Sequence, residues 1–196
     1  MSTTHDDGPL AARVRHVETL LEERGWLADG ELDERIDAFA AGGSPANGAA
    51  IVARAWVDPG FRERLLADAS TAIEELGMSM AAGLQVQPLV AVANTADEHH
   101  VVVCTLCSCY PVSLLGPSPT WYKSEAYRSR VVRDPRGVLR EFGLELPDGV
   151  RITVWDASAE TRYMVVPRRP EGTDGLSEQE LAGLVTRKGL IGTAAV

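Results

Sequence analysis

The sequence predicts an α+β fold, in which a helical N-terminal arm and lobe precede a mixed α/β domain that carries a cysteine loop at a strand end. Three observations carry this reading. Apolar residues recur at helical spacing through the first third of the chain, β-branched runs take over from about Gln85, and all three cysteines stand together at the end of one such run. Hydrophobic content of 45% with 24% charged residues is that of a globular protein, and no apolar stretch approaches the ~18 residues of a membrane span.

The elements follow in order. Leu10, Val14, Val17, Leu20 and Leu21 share one helical face, and Gly25 supplies a stop. A second short helix is expected from Glu31 to Ala40, closed by Gly42 and Gly43. Ser44-Pro45 offers a cap and a first-turn proline for a helix through Ala49 to Trp56. Asp58-Pro59 repeats the device and predicts one helix through Phe61, Leu65, Leu66 and Ile73 to Gly77. Leu89 to Val92 and Val101 to Val103 read as buried strands, separated by the polar turn from Asn94 to His100. Arg151 to Trp155 and Thr161 to Val166 also read as strands, with Asp156 to Glu160 between them as a hairpin loop. Ser177 and Glu180 form a capping box for a last helix, Glu178 to Thr186. The expected division is an arm over residues 1–44 and a larger domain over 45–196.

Net charge narrows the partners. The chain holds 28 acidic and 19 basic side chains, a formal charge of -9, which opposes nucleic-acid binding. Six bases nevertheless gather between Thr120 and Arg140: Lys123, Arg128, Arg130, Arg133, Arg136 and Arg140. They read either as a solvated helix face or as a surface for an anion or partner. The first residues show no basic segment followed by an apolar one, so the expected location is cytoplasmic, with no membrane partner.

Cys104, Cys107 and Cys109 are the most informative feature, because an odd set packed this closely is a poor disulfide framework. A structural zinc site would need a fourth ligand, which His99 or His100 would supply. A different chemistry suits the spacing better. Cys107-Ser108-Cys109 places two thiolates around two consecutive peptide nitrogens, and ionised amides of Ser108 and Cys109 would close chelate rings with both sulfurs. Cys104 would then add an axial thiolate and leave the opposite position open. Such soft, anionic donors suit a small transition ion, which acts as a Lewis acid on a bound nitrile or water.

The run Val103-Cys104-Thr105-Leu106-Cys107-Ser108-Cys109-Tyr110-Pro111 resembles the metal-binding loop of nitrile hydratase alpha subunits. Thr105 and Tyr110 look like the cobalt form, where iron forms typically carry serine at the position of Thr105. The likeness continues through Pro45 to Gly48, Val52 to Trp56, Thr120 to Ser124, Tyr127 to Arg133, Ala159 to Tyr163 and Ile191-Gly192. It implies that residues 45–196 form the metal-binding domain and that the metal is cobalt(III), one per chain, with iron second. It implies metal ligation by Cys104, Cys107, Ser108 and Cys109, a sulfinate at Cys107 and a sulfenate at Cys109. Catalytic roles fall by the same likeness on Cys107, Ser108, Cys109 and Gln85, although the glycine that usually follows that glutamine is Val86 here. The implied partners are a beta-type subunit, as one chain or split into two, a small-molecule nitrile and a metal-delivery activator protein.

One departure bears on the substrate. Where the family usually has Trp-Pro after the loop, this chain has Val112-Ser113, which predicts a wider pocket for an aromatic, heterocyclic or nucleoside nitrile. A thiocyanate hydrolase gamma-type subunit and, outside enzymes, a zinc-stabilised interaction module are the alternatives.

Overall fold

The computed structural model describes residues 8–80, 87–107 and 109–196, apart from the side chains of 38–41. The chain divides into two units, one ending at Ala41 and the other running from Gly42 to Val196. No helix among the described residues is long and apolar enough to cross a membrane.

In the first unit, α1 spans Gly8–Glu23 and α2 spans Glu31–Gly42. The amides of Gly25 and Trp26 close α1 on the carbonyls of Glu22 and Leu21, a Schellman pattern that needs the positive φ of +69° at Gly25. Helix α1 buries none of its residues; Leu10, Val14 and Val17 are all exposed.

The second unit opens as the capping signals predict. Ser44 caps α3 (Pro45–Val57) by accepting from the amide of Ala46, and the helix buries Ile51, Val52, Ala53 and Ala55. Asp58 ends α3 and starts α4 (Pro59–Ala67), its side chain accepting from the amide of Phe61. The single helix expected to reach Gly77 is instead broken at Asp68. That residue is extended at φ -150°, and its carboxylate accepts from the amide and hydroxyl of Thr71, starting α5 (Ala69–Glu74). An aspartate competes well with the helix for its own backbone donors, so the break is local chemistry that the apolar periodicity masked.

Among the described residues four strands follow: β1 (Leu89–Ala93), β2 (Glu98–Val103), β3 (Arg151–Asp156) and β4 (Arg162–Val166). The expected hairpin between β3 and β4 is not formed. β1 pairs in parallel with β4, Leu89 opposite Arg162, and β2 pairs in parallel with β3, Val103 opposite Asp156. The physical reason lies in the apolar runs. Val101, Val102 and Val103 are all buried, and strands covered on both faces favour parallel partners reached through long crossovers. Residues 157–161 therefore pass from one pair to the other, with the amide of Ala157 on the carbonyl of Val103 and that of Arg162 on Pro88.

The β2-to-β3 crossover holds the cysteine loop, α6 (Val112–Leu115), a 3₁₀ turn at Thr120–Lys123, α7 (Glu125–Val131) and α8 (Pro135–Glu141). Its aromatic core joins Trp121, Tyr122, Tyr127 and Phe142, with Trp121 and Tyr127 edge to face at 4.9 Å. After β4 come α9 (Glu178–Leu184), whose capping box forms as predicted, and α10 (Arg187–Ile191). Gly192 ends α10 at φ +86°, and a Cβ there would stand 2.0 Å from the carbonyl oxygen of His100. Only glycine permits that approach.

Candidate metal centre

Strand β2 delivers the site. Its last residues are buried valines, so Cys104 emerges fully buried at the strand end, while the chain beyond turns outward, leaving Leu106 91% exposed and Cys107 exposed. Cys109 turns back to an intermediate depth. The sulfurs of Cys104 and Cys107 lie 3.2 Å apart, those of Cys107 and Cys109 3.0 Å apart, and all three fall within 4.8 Å of one another. The amide of Cys107 also donates to the Cys104 sulfur at 3.3 Å.

These spacings exceed the roughly 2.05 Å of a disulfide. Sulfurs bound at about 2.3 Å to one ion stand ~3.3 Å apart at a right angle and ~3.8 Å apart at a tetrahedral angle. The three sulfurs are therefore unbridged by disulfides and close enough together to serve one ion. Crowding has an electrostatic counterpart. Burial pushes the Cys109 thiol up to about 12, helped by its hydrogen bond with Cys107 and by the other two thiols, while Arg162 pulls the opposite way. The Cys109 thiolate is thus disfavoured by its surroundings, and a bound cation would reverse that preference.

Several side chains hold the loop. Asp156, at the end of β3, accepts from the Thr105 amide at 2.9 Å and from the Thr105 hydroxyl at 2.5 Å. Tyr122 donates its hydroxyl to the carbonyl of Cys109 at 3.1 Å, and Tyr127 donates to that of Val102 at 2.8 Å. Burial raises the pKa of both phenols, so they remain protonated donors. Arg128 donates to the carbonyl of Cys107 at 3.1 Å. Arg162, buried at the start of β4, donates to the carbonyl of Ser158. The buried Tyr110 hydroxyl has no hydrogen-bond partner among the described residues.

The structure thus brings Cys104, Cys107 and Cys109 together as the spacing predicts. Ser108 and Gln85 lie outside the described residues. Val112 is half-buried at the start of α6, and the carbonyl of Ser113 accepts from the Asn47 side-chain Nδ2 at 2.8 Å. Neither histidine joins the cluster, which corrects the zinc ligand set. His99 is buried between Asn94, whose Nδ2 meets its Nδ1 at 3.1 Å, and the Gly192 carbonyl, 2.8 Å from its Nε2. His100 accepts at Nδ1 from the Trp155 indole at 3.0 Å. Sequence reasoning missed Asp156, which it placed in a hairpin loop, and its only sign of Tyr122, Tyr127 and Arg162 was the family likeness around them. A parallel register is needed before Asp156 can be seen beside the loop.

The fold and this cluster define a class: α+β proteins that present three cysteine sulfurs to one metal ion from the end of a buried strand. The family model described as nitrile hydratase, alpha chain, matches residues 8–194. The high-molecular weight cobalt-containing nitrile hydratase subunit alpha of Rhodococcus rhodochrous is 51% identical over 184 residues, 93% of this chain and 89% of the relative. Two solved structures align with 97% of this chain at 41% identity. One is a double mutant of the Fe-type nitrile hydratase from Comamonas testosteroni Ni1, with TM-score 0.88 over 92% of its chain. The other is a recombinant thiocyanate hydrolase with partially modified cobalt centres, with TM-score 0.89 over 90%. This chain belongs to the nitrile hydratase alpha-chain family.

Proposed function

We propose that the chain is the metal-binding subunit of an enzyme that hydrates a nitrile to its amide at a cobalt(III) centre, one ion per chain, working with a beta-type partner of one or two chains. The observation that carries this reading is the close three-sulfur cluster in a loop resembling the cobalt type. Cobalt is favoured over iron by Thr105 and by the cobalt-containing relative. The sulfurs of Cys104, Cys107 and Cys109 and the amide nitrogens of Ser108 and Cys109 would hold the ion, which an activator protein delivers. When bound, such an ion supplies Lewis acidity for polarising the nitrile.

The chain's own residues set the rest. A sulfinate at Cys107 and a sulfenate at Cys109, as the family likeness implies, would add hydrogen-bond acceptors beside the ion. Cys104, fully buried, is shielded from that chemistry. Gln85 is proposed, on the family likeness alone, to have a catalytic role. Val112 and Ser113 stand where the family likeness implies Trp-Pro, and they are proposed to leave room for a ring-bearing nitrile.

A thiocyanate hydrolase gamma-type role is the second reading, favoured by the likeness to that enzyme's structure. The zinc module loses its fourth ligand to the engagements of His99 and His100. The deciding experiment is to produce the chain with its partner in cobalt medium and follow amide formation from 3-cyanopyridine and acrylonitrile beside thiocyanate consumption. Amide formation is expected; thiocyanate turnover alone selects the second reading.

A further inference from the structure

Arg128 is a cation that no carboxylate among the described residues pairs with. Its Nη1 donates to the carbonyl oxygens of Cys107 at 3.1 Å and Thr105 at 3.5 Å. Its Nε is buried with no hydrogen-bond partner among the described residues. Arg130, on the same helix, shows the usual alternative: it reaches Glu141 at 2.5 Å on the surface. A partly desolvated guanidinium held by carbonyl dipoles alone is costly unless an anion stands near. Both carbonyls it holds belong to the cysteine loop, whose sulfurs and amides would be anionic as metal ligands.

We propose that Arg128 is a positioning residue of the metal centre. It fixes the Cys107-Ser108 peptide through the Cys107 carbonyl and offsets the charge of the ligand set from within this chain. The inference rests on the reading of the cluster as a metal centre. A peptide is planar, so a bond that holds its oxygen also holds the plane containing its nitrogen, here the nitrogen proposed as a ligand. The ligand set carries more negative charge than a trivalent ion neutralises, and a fixed cation compensates without waiting for solvent to reorganise.

The test uses Arg128→Gln and Arg128→Lys, each produced with the beta-type partner in cobalt medium. Cobalt per chain, the rate of cobalt loss to a chelator, the metal-sulfur absorption band and the thermal midpoint are measured beside wild type. Loss of a residue that supports a metal ligand typically costs about 10–100-fold in affinity, so Arg128→Gln is expected to release cobalt at least about tenfold faster, with a shifted band. Arg128→Lys keeps the charge without the fork and is expected to recover part of the difference. A purely structural arginine would lower the midpoint and leave band and release rate alone; that result overturns the proposal. If Arg128→Gln does not accumulate, wild-type release and band in Arg128→Lys overturn it equally. Wild-type protein that takes up no cobalt defeats the metal reading itself, whereas loaded wild type beside an unchanged variant defeats this proposal alone.

Discussion

Asp156 ties the cysteine loop to the sheet by gripping Thr105 at two atoms, the amide at 2.9 Å and the hydroxyl at 2.5 Å. Because Asp156 pairs in register with Val103, the residue before Cys104, one carboxylate fixes how the loop leaves the strand. Asp156→Ala removes both acceptors and is expected to cost about 1–2 kcal/mol, the lower part of the range for charged hydrogen bonds because the carboxylate is exposed. Urea unfolding of Asp156→Ala and Thr105→Ser checks this: the serine variant keeps both donors and is expected to stay within about 0.5 kcal/mol of wild type.

Acid should weaken the fold in a window set by His99. The Asn94 carbonyl oxygen accepts from the His100 amide, so its Nδ2 faces His99, whose Nδ1 must accept and whose Nε2 must donate to Gly192. Protonating His99 would set two donors against each other in a buried site. Burial holds its pKa below the ordinary 6.5, chiefly by desolvation, and His100 is lowered for the same reason. A base with a depressed folded pKa takes up its proton on unfolding, so stability is complete above about 6.5 and falls as pH drops below it. Thermal midpoints between pH 7.5 and 5 are expected to decline, and His99→Gln is expected to flatten the slope. Glu98 acts lower still: Arg151 and Thr153 hold its pKa to about 2 from an ordinary 4.5, so its contribution is lost only below about pH 4.5.

The helical elements were legible because their signals are local. Ser44, Asp58 and Ser177 each cap a helix within three residues of themselves, and the sequence alone places them. The Asp68 break carried a similar signal that the run of apolar residues overrode. Strand pairing was not legible, since whether β3 meets β4 or β2 depends on contacts some fifty residues apart, such as Glu98 with Arg151. The cysteines fell together because their spacing is short, whereas Asp156 and Arg128 reach the loop only through the parallel register and the crossover helices.

The N-terminal helix gives a further expectation. Leu10, Val14 and Val17 form an exposed apolar stripe on a helix that buries nothing, which suits packing against a partner chain. The isolated chain is expected to be nearly inactive, and Leu10→Glu with Val14→Glu is expected to reduce recovery of the beta-type subunit in co-purification. Full nitrile hydration by the lone chain would contradict this.

The proposed substrate contact at Val112 is testable. Introducing a large side chain into an occupied space costs typically about 1–3 kcal/mol, and a tenfold change needs about 1.4. Val112→Trp is expected to lower kcat/KM for 3-cyanopyridine about tenfold while sparing acrylonitrile. Equal effects on both would mean that the partner chain fills this space.

Cys104, Cys107 and Cys109 are proposed to hold one cobalt ion. Elemental analysis of the protein matured with its partner in medium containing both cobalt and zinc, beside Cys104→Ser, Cys107→Ser and Cys109→Ser, tests it most directly. Close to one cobalt per chain is expected in the wild type and little in each variant. Stoichiometric zinc without cobalt, or cobalt retained when the cysteines are replaced, would contradict it.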